Sequence, residues 1–307
     1  MTRLVPFEPA HLPGAAALVA AAAAKARQSV PLVVGGLDDP GRVAGLLGGP
    51  ASGGLGVAAI RGRQVLGFLA PLTFELWGGP GAYVPEWGQA AATPALVADL
   101  YAAASALWEG RTVHAVTLWA HEPEVEAVWH GLGFGRVVVD AVRGLEAPAR
   151  RPRGVTVRRA GPRDAFLLAR LERALWEHLS APPACRIHPA PGGRAQAARR
   201  LADPAQPVWL AEVDGAPAGF ISLQPSDDAP ASLRSPDLVR CDGAFVVPER
   251  RGRGVATTLL GTALRWAAAA GFSGCSLDYE SANLTAARVW PQAGFSAVLH
   301  SVGRRIT

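Results

Sequence analysis

Residues 246–260 read Val-Val-Pro-Glu-Arg-Arg-Gly-Arg-Gly-Val-Ala-Thr-Thr-Leu-Leu and join three kinds of local structure. The valines end a strand, because Pro248 has no N–H to give to a sheet ladder. Apolar residues then recur at helical spacing from Val255, so a helix begins near Gly254. Between strand and helix, the N–H groups of the basic residues 250–254 would converge on an anion at the helix N-terminus. The stretch therefore predicts a phosphate-binding turn.

Two familiar phosphate-binding motifs do not fit this turn. It lacks the Gly-Lys-Ser/Thr of a Walker loop and the three-glycine fingerprint of a dinucleotide-binding unit. Two glycines in a basic turn are, taken alone, often nothing more than a turn. What the turn does contain is Arg251-x-x-Gly254-x-Ala256. This pattern resembles the pyrophosphate-binding signature Q/R-x-x-G-x-G/A of the GNAT family of acyl-CoA N-acyltransferases.

A second stretch, residues 278–295, carries the same resemblance. Many GNAT proteins have Asn-x-x-Ala-x-x-x-Tyr-x-x-x-Gly-Phe after their fifth strand. This pattern is met by Asn283, Ala286, Gly294 and Phe295, with Trp290 at the tyrosine position. Both motifs occur in the family's order and at its usual separation, and the resemblance covers residues 155–307.

The resemblance implies a fold and a co-substrate. The fold class is α/β of the layered α+β kind, with two GNAT-like domains that each have a mixed, mostly antiparallel sheet flanked by helices. The co-substrate is acetyl-CoA, without a metal. A fourth strand splayed from the fifth would leave backbone groups of residues 245–247 free for the pantetheine arm. The residues expected to bind the cofactor are Phe245, Val246, Val247, Arg251, Gly252, Arg253, Gly254, Val255, Ala256, Thr257, Asn283, Ala286 and Trp290.

Three carboxylates are candidates for the general base. An alkylamine is mostly protonated at neutral pH and attacks a thioester only after losing that proton. Glu280 and Asp278 lie at the end of the fifth strand, and Asp242 shares strand parity with Val246, so both should project to one face. Glu280 is favoured over Asp278, and Asp278 over Asp242, with a structural or acceptor-binding role as the alternative for each. Their charge indicates a cationic acceptor, while neutral peptide amines stay open.

Trp290 departs from the family pattern. Many members have a tyrosine there that can protonate the leaving thiolate, whereas an indole N–H donates a hydrogen bond but is not a general acid. The alternatives are Tyr279, water, and departure of the thiolate without assistance. The last is tolerable because a thiol has a pKa of about 8.5.

The first half of the chain repeats the second. Trp290 and Gly294 follow Trp129 and Gly133 at one offset of 161 (290 − 129 and 294 − 133), and residues 247–249 repeat the Val-Pro-Glu of residues 84–86. A repeat of this size implies two copies of one fold, but not two working sites.

The first copy lacks the phosphate turn. Its residues 87–93 read Trp-Gly-Gln-Ala-Ala-Ala-Thr where the second copy has Arg-Arg-Gly-Arg-Gly-Val-Ala. The missing arginines and second glycine remove charge and backbone freedom from the cradle. The first copy is therefore predicted to be a degenerate GNAT domain that serves as a scaffold or a wall of the substrate cleft, with weak residual cofactor binding as the alternative.

Charge and composition bear on the possible binding partners, metal sites and cellular location of the protein. Lys+Arg total 30 against Asp+Glu 25, and Lys25 is the only lysine. No long basic run with interleaved aromatics occurs, which disfavours nucleic acid. Cys185, Cys241 and Cys275 form neither a disulfide framework nor a zinc pattern. Without a signal-peptide layout or a run of about 18 apolar residues, a cytoplasmic protein that does not span a membrane is expected.

Length alone predicts two domains of about 150 residues. The predicted boundaries are 1–147 for the degenerate copy, 148–154 for a Pro- and Arg-rich linker, and 155–307 for the domain with the acyl-CoA site. The predicted function is acetyl-CoA-dependent N-acetylation of a small-molecule or peptide amine by direct attack. The alternatives are a non-catalytic acyl-CoA sensor or interaction module, and a tandem acetyltransferase similar to mycothiol synthase. Pairing of terminal strands would allow a homodimer.

Overall fold

The computed structural model describes residues 1–33, 35–147, 154–187 and 189–306, which form two compact units. Unit 1 comprises Met1–Asp140, Pro230–Leu233 and Ala297–Thr307, and unit 2 comprises Ala141–Ala229 and Arg234–Ser296. Except for Gly154, the predicted linker 148–154 lies outside the described residues. The domain boundaries expected from the sequence stay a prediction.

Unit 1 consists of helices and two sheets. Its helices are α1 Leu12–Ser29, α2 Pro40–Ser52, α3 Ala95–Leu107 and α4 Pro123–Gly131. Its strands are β1 Arg3–Pro6, β2 Val57–Arg61, β3 Gln64–Leu69, β4 Leu72–Leu76, β5 Gly79–Val84, β6 Gln89–Ala91, β7 Val113–Trp119, β8 Gly135–Arg143 as far as Asp140, and β14 Ser296–Arg305 from Ala297. One sheet has the order β1-β2-β3-β6, and the other has β4-β5-β7-β14-β8.

Unit 2 holds the second repeat without its last strand. Its helices are α5 Ala165–Ser180, α6 Gly193–Ala202, α7 Val255–Ala269 and α8 Leu284–Gln292. Its strands are β9 Val155–Arg159, β10 Val208–Val213, β11 Ala216–Pro225, β12 Leu238–Val246 and β13 Gly274–Glu280. They follow the order β13-β12-β11-β10-β9, in which β12 and β13 are parallel and the other pairs antiparallel. The predicted fold class is confirmed.

Local sequence features position the strands and helices of unit 2 that surround the candidate functional site. Asp214-Gly215 closes a tight hairpin in which Val213 pairs with Ala216, as the two turn residues predict. Helix α5 packs its apolar stripe, which includes Leu168, into the core of unit 2. Among the described residues, no helix is both long and apolar enough to cross a membrane.

The internal repeat appears as equivalent contacts in the two units. Arg304 donates from Nη1 to the carbonyl of Leu132 at 2.8 Å, and Arg143 donates from Nη1 to the carbonyl of Ala293. Both pairs obey the offset of 161 (304 − 143 and 293 − 132). Arg143 belongs to the first repeat but contacts the second, because β8 enters unit 2 after Asp140. Arg304 belongs to the second repeat but contacts the first, because β14 belongs to unit 1 from Ala297. The closing strands of the two repeats are therefore exchanged.

A buried carboxylate on α4 fastens β14 in unit 1. Glu126 accepts hydrogen bonds from Nε and Nη2 of Arg136, both at 2.7 Å, and from Nδ1 of His300 at 3.0 Å. Burial alone would raise the pKa of Glu126, but the hydrogen bonds from Arg136 and His300 outweigh it and hold the pKa below its usual value. The ionised carboxylate thus ties strands β8 and β14 to α4.

We expect Glu126→Ala to lower the free energy of unfolding by about 3 kcal/mol, because Arg136 and His300 lose their buried partner. Chemical denaturation at neutral pH measures the loss. Glu124→Ala, at an exposed position of the same helix, is the control and should cost less than about 0.5 kcal/mol. Glu126 stabilises the fold above the unfolded-state pKa, and this contribution is lost as pH falls through the lowered folded-state pKa. The difference between wild type and variant should therefore shrink in acid, and a difference independent of pH would contradict the role.

Candidate functional site

The turn between β12 and α7 leaves amide groups without a partner in the helix. Gly252 and Gly254 have φ of 76° and 78°, which residues with a Cβ adopt only at a cost. The first hydrogen bond at this end of α7 runs from the N–H of Thr258 to the carbonyl of Gly254, at 3.0 Å. The N–H groups of residues 255–257 therefore carry the partial positive charge of the helix end. Such a turn is suited to an anion.

Three arginines surround this turn. Nη1 of Arg250 and of Arg253 lies 3.4 and 3.5 Å from Oδ2 of Asp214, in exposed pairs that screen the arginines only weakly. Arg251 donates from Nε to the carbonyl of Val246 at 3.2 Å. The arginines add long-range attraction for an anion to the short-range donors of the turn.

Strands β12 and β13 part after three paired positions. The pairs are Leu238↔Gly274, Val239↔Cys275 and Arg240↔Ser276. Beyond them β12 continues to Val246 and β13 to Glu280, and the register with β11 shows one extra residue, Asp242, between the pairs Ser222↔Gly243 and Leu223↔Cys241. Such a bulge bends a strand and increases its twist. One side of β12 therefore faces an open gap.

Alternation along β12 decides which backbone groups reach the gap. The N–H of Val247 donates to the carbonyl of Ala218 at 3.0 Å, so Val247 points to β11. In an antiparallel pair, residues bonded to the neighbour alternate with residues whose groups point away. Phe245 therefore also points to β11, whereas Ala244 and Val246 point to the gap. The expectation that the backbone groups of Phe245 and Val247 are free is wrong.

A cleft of 1110 Å³ in unit 2 joins the turn, the gap and the ends of both strands. All three candidate bases, Glu280, Asp278 and Asp242, line it. Among the described residues expected to bind the cofactor, Val247 and Arg253 do not line it. The others do, and they are Phe245, Val246, Arg251, Gly252, Gly254, Val255, Ala256, Thr257, Asn283, Ala286 and Trp290.

Each candidate base is paired with an arginine. The pairs are Arg186 Nη1 to Glu280 Oε1 at 2.7 Å, Arg200 Nη2 to Asp242 Oδ2 at 2.5 Å, and Arg240 Nη2 to Asp278 Oδ1. Glu280 is only 6% exposed, and burial raises its pKa against the opposing charge of Arg186. A carboxylate whose pKa is shifted towards neutrality takes up a proton more readily, as a general base requires.

Asp242 belongs to a polar network that includes α5 and α6. Arg200 on α6 donates to Oγ of Ser222 at 3.0 Å and to Asp242, and its Nε lies 3.7 Å from Oε1 of Glu172 on α5. Ser222 pairs with Gly243, whose side of the sheet is opposite to that of Val246. Because Arg200 binds both Ser222 and Asp242, the side chain of Asp242 lies on the side of Ser222. The prediction that Asp242 and Val246 project to one face is therefore wrong, because the bulge adds a residue at Asp242. Asp242 therefore has a structural partner at the bulge.

Helix α8 presents the second motif to the cleft. Oδ1 of Asn283 accepts a hydrogen bond from the N–H of Ala286 at 3.2 Å, so Asn283 caps the helix. Trp290 packs edge-on against Phe295, with ring centroids 5.4 Å apart. Tyr279, the alternative acid, is buried and lines the same cleft.

Sequence reasoning did not assign three charged side chains that line the cleft, Arg143, Asp228 and Arg240, and it indicated a fourth, Arg186, only as part of the loop 180–189, which the family resemblance makes a candidate for the acceptor site. Arg143 had a signal, since it repeats Arg304. The ion pairs of Arg186 and Arg240 join residues that are 94 and 38 positions apart (280 − 186 and 278 − 240), so no local pattern indicates them. Asp228 forms no ion pair with the part of the chain that the structure describes.

The described part of unit 1 has no counterpart of the gap or the turn. β5 stays paired with β7 to its last residue, at Val84↔Val116. Gln89–Ala91 forms β6 and pairs with β3, instead of a glycine-rich turn. The side chain of Gln89 also donates to the carbonyl of Thr117 at 3.4 Å. The described part of unit 1 therefore lacks the two features that would hold a cofactor, and the degeneracy of the first copy stays a prediction.

Comparisons with known proteins agree with this architecture. Residues 171–295 match the model of the Acetyltransferase (GNAT) family. A GCN5-related N-acetyltransferase from Sphaerobacter thermophilus is similar over 99% of this chain and 95% of its own, with a TM-score of 0.57 and 16% identity. A tandem GNAT protein from the clavulanic acid biosynthesis pathway is similar over 81% of this chain and 82% of its own, with a TM-score of 0.44 and 19% identity. No curated protein matches.

An aminoglycoside N-acetyltransferase in complex with CoA is also similar to this chain. The likeness covers 52% of this chain and 95% of that one, with a TM-score of 0.38 and 22% identity.

We expect Arg200→Met to destabilise unit 2 by about 3 kcal/mol at neutral pH, because Glu172 and Asp242 lose their shared cation. Burial already raises the pKa of Glu172, and that pKa should rise further without Arg200. Its ionised form then disfavours folding above the unfolded-state pKa, so the loss should shrink as pH falls and Glu172 is protonated. Urea denaturation at two pH values measures this.

Arg173→Met is the matched control for Arg200→Met. Arg173 pairs with Glu177 at 3.0 Å on the surface, with both side chains more than half exposed. Its loss should cost less than about 1 kcal/mol. Equal losses for the two variants would show that the network around the bulge has no special weight.

Proposed function

We propose that this chain transfers an acetyl group from acetyl-CoA to the amine of a small molecule or peptide, on the premise that residues 171–295 match the model of the GNAT family of acetyltransferases. One observation carries the proposal. A single cleft of unit 2 contains both an anion-suited turn and a gap beside β12 that leaves backbone donors and acceptors unpaired. Coenzyme A has a diphosphate for the first and an amide-bearing pantetheine arm for the second.

The cofactor would lie along the cleft with its diphosphate at the turn. The N–H groups of residues 255–257 and the guanidinium of Arg251 supply donors and charge there, with Arg253 acting at longer range. The backbone of Ala244 and the N–H of Val246 would pair with the pantetheine arm as an added strand does, since the carbonyl of Val246 already accepts from Arg251. Trp290, Asn283 and Ala286 would line the other side of the arm.

The proposed reaction is direct attack of a neutral amine on the thioester. Glu280, directly or through a water molecule, takes the proton of the alkylammonium and frees the nitrogen lone pair. As the C–N bond forms, negative charge develops on the carbonyl oxygen, where an N–H of β12 facing the gap can stabilise it. The C–S bond then breaks and the thiolate of CoA leaves. The extra proton on the nitrogen passes to solvent or to the thiolate.

The leaving thiolate would be protonated by Tyr279 or by water. Trp290 occupies the family's tyrosine position and cannot release a proton at neutral pH. Because a thiolate is a tolerable leaving group, activity does not require an acid at this place.

The acceptor end of the cleft favours a cationic substrate. Asp242, Asp278 and Glu280 are paired with Arg200, Arg240 and Arg186, and Arg143 donates to the carbonyls of residues 144, 146 and 293, which leaves Asp228 as the excess carboxylate among the described residues. The excess carboxylate would attract an alkylammonium group.

The cytoplasmic location and the homodimer expected from the sequence stay predictions.

A non-catalytic acyl-CoA sensor is the second candidate. Two observations favour it, since Trp290 replaces the usual acid and every candidate base already has an arginine partner. A sensor would bind acetyl-CoA saturably without turnover, whereas an acetyltransferase would release CoA with some member of a wide amine panel.

We expect Gly252→Trp to abolish coenzyme A binding. A Cβ at Gly252 meets no atom within 4 Å, so the indole has room to enter the cleft where the diphosphate would lie. Calorimetry should find one site per chain in the wild type, since unit 1 lacks the turn and the gap, and no heat in the variant.

Gly271→Trp is the control for the strain that any side chain feels at positive φ. Gly271 has φ of 90°, a Cβ there meets no atom within 4 Å, and the residue lies outside the cleft at the other end of α7. This variant should bind coenzyme A as the wild type does. Wild-type affinity in Gly252→Trp would place the cofactor elsewhere.

We expect Glu280→Gln to lower kcat by about a hundredfold or more, because the amide cannot take a proton. In the wild type, kcat/KM should rise with pH through the pKa of Glu280, which burial holds above its usual value. That rising limb should vanish in the variant and leave only the titration of the amine. Asp278→Asn changes charge at a neighbouring paired carboxylate and is the control. An unchanged pH profile in Glu280→Gln would transfer the role to another group.

A further inference from the structure

A short segment of the second sequence repeat is part of unit 1. Pro230–Leu233, called here the anchor segment, lies in the connection between β11 and β12, and the residues on both sides of it belong to unit 2. Ser232 and Leu233 are fully buried, and Ala231 is nearly so. Burial of this kind is unusual for a connecting loop, because its main-chain groups must then find partners.

Two main-chain hydrogen bonds within unit 1 hold the anchor segment. Oε1 of Glu86 accepts from the N–H of Ser232 at 2.9 Å, and the N–H of Gly35 donates to the carbonyl of Ser232 at 3.0 Å. The hydroxyl of Ser232 is buried without a partner among the described residues. The hydrogen bonds within unit 1 therefore involve the main chain of Ser232 and not its hydroxyl.

The fit at Gly35 depends on the absence of a side chain. A Cβ at this position would lie 1.7 Å from the carbonyl oxygen of Ala231, which is backbone and cannot turn aside. Only glycine lets these two segments of the chain approach each other this closely.

Glu86 shows how the duplicated sequence has been put to a different use. Residues 84–86 and 247–249 have the same Val-Pro-Glu sequence. In the second repeat Glu249 is exposed at the phosphate turn, whereas Glu86 is 1% exposed and takes no part in any cofactor turn. A buried carboxylate is retained at a cost unless it is hydrogen-bonded, and the N–H of Ser232 provides such a bond.

The same connection carries Asp228 into the cleft of unit 2, two positions before the anchor segment. Two hydrogen bonds in unit 2 join the two ends of this connection. Oγ of Ser226 donates to the carbonyl of Ser235 at 2.6 Å and accepts from the N–H of Ser235 at 2.9 Å. The connection is thus fixed where its ends meet and at its anchor segment, and Asp228 lies between the two points. Fixing a loop at two points limits the conformations of the residues between them.

We propose that the degenerate copy is an anchor for the β11–β12 connection, and that Glu86 and Gly35 are positioning residues that hold Asp228 at the acceptor end of the cleft. This inference rests on the proposed acetyl transfer only for its effect on the acceptor. The anchoring itself concerns the fold and is tested without turnover.

Hydrogen–deuterium exchange of the amides of residues 226–237 tests the anchoring. In Gly35→Ala and Glu86→Ala these amides should exchange at least about tenfold faster than in the wild type, because the local opening costs less. Gly45→Ala, at a glycine of unit 1 whose Cβ would meet no atom within 4 Å, and Ser232→Ala should leave the exchange unchanged. Unchanged exchange in both Gly35→Ala and Glu86→Ala would overturn the proposal.

Steady-state kinetics test the positioning, with acetyl-CoA and the best amine from a panel of mono- and diamines. If the loop adopts its competent form about ten times less often, the KM of the amine should rise about tenfold. The KM of acetyl-CoA should not change, because the turn and the gap are untouched. Glu86→Gln keeps an oxygen acceptor and should restore most of the loss. A parallel rise of both KM values would indicate a general structural defect and overturn the positioning role.

Asp228→Asn links the anchor to the residue that it positions. This change should raise the KM of the amine in the wild type but add little in Gly35→Ala, while Asp227→Asn, an exposed neighbour outside the cleft, should do neither. Additive effects of Asp228→Asn and Gly35→Ala on the KM of the amine would contradict the positioning of Asp228 by the anchor segment. If no amine turns over in the wild type, the proposed acetyl transfer fails, and hydrogen exchange alone decides the anchoring.

Discussion

The site depends on the parting of β12 from β13 after Arg240↔Ser276. Two parallel strands that stayed paired would satisfy each other's main-chain groups and leave nothing for a ligand. Once they part, the main-chain groups of Ala244 and the N–H of Val246 need partners, which a ligand or water must supply, whereas the carbonyl of Val246 already accepts from Arg251. The bulge at Asp242 bends β12 away and Arg200 holds that bulge, so the gap is built by side chains outside it. The phosphate-suited turn follows directly because it begins where the parted strand ends.

The two repeats show the same constraint resolved in opposite ways. In unit 1 the pairing runs on to Val84↔Val116, and residues 89–91 form a strand where the other copy has its turn. Yet both units keep the arginine that holds the carbonyl before the Gly-Phe pair, Arg304 in one and Arg143 in the other. Contacts shared by an open and a closed copy serve the fold. Contacts found only in the open copy are the ones to consider for chemistry, and by this criterion Glu280, which replaces Trp119 at the offset of 161, is one of them.

Arginine partners make the acidic end of the cleft compatible with burial. A buried carboxylate without a partner would lose most of its charge through a raised pKa. Arg186 opposes that effect at Glu280 without cancelling it, so the pKa stays raised. The result is a carboxylate that remains ionisable yet is more basic than an exposed one. The same pairing leaves Asp228 as the carboxylate best placed to meet an incoming cation.

The sequence by itself determined the strand, turn and helix at residues 246–260, the hairpin at Asp214-Gly215, the internal repeat and the loss of the turn in the first copy. These features rest on local backbone preferences and on side-chain periodicity, which a chain carries wherever it folds. Only the tertiary structure decided that the amide of Val247 is already bonded, that a bulge breaks the parity of Asp242, that arginines pair with all three candidate bases, and that the closing strands are exchanged. Each of these depends on register or on contacts between residues far apart in the chain, and long-range pairing is set by the packing of the whole core rather than by any local pattern.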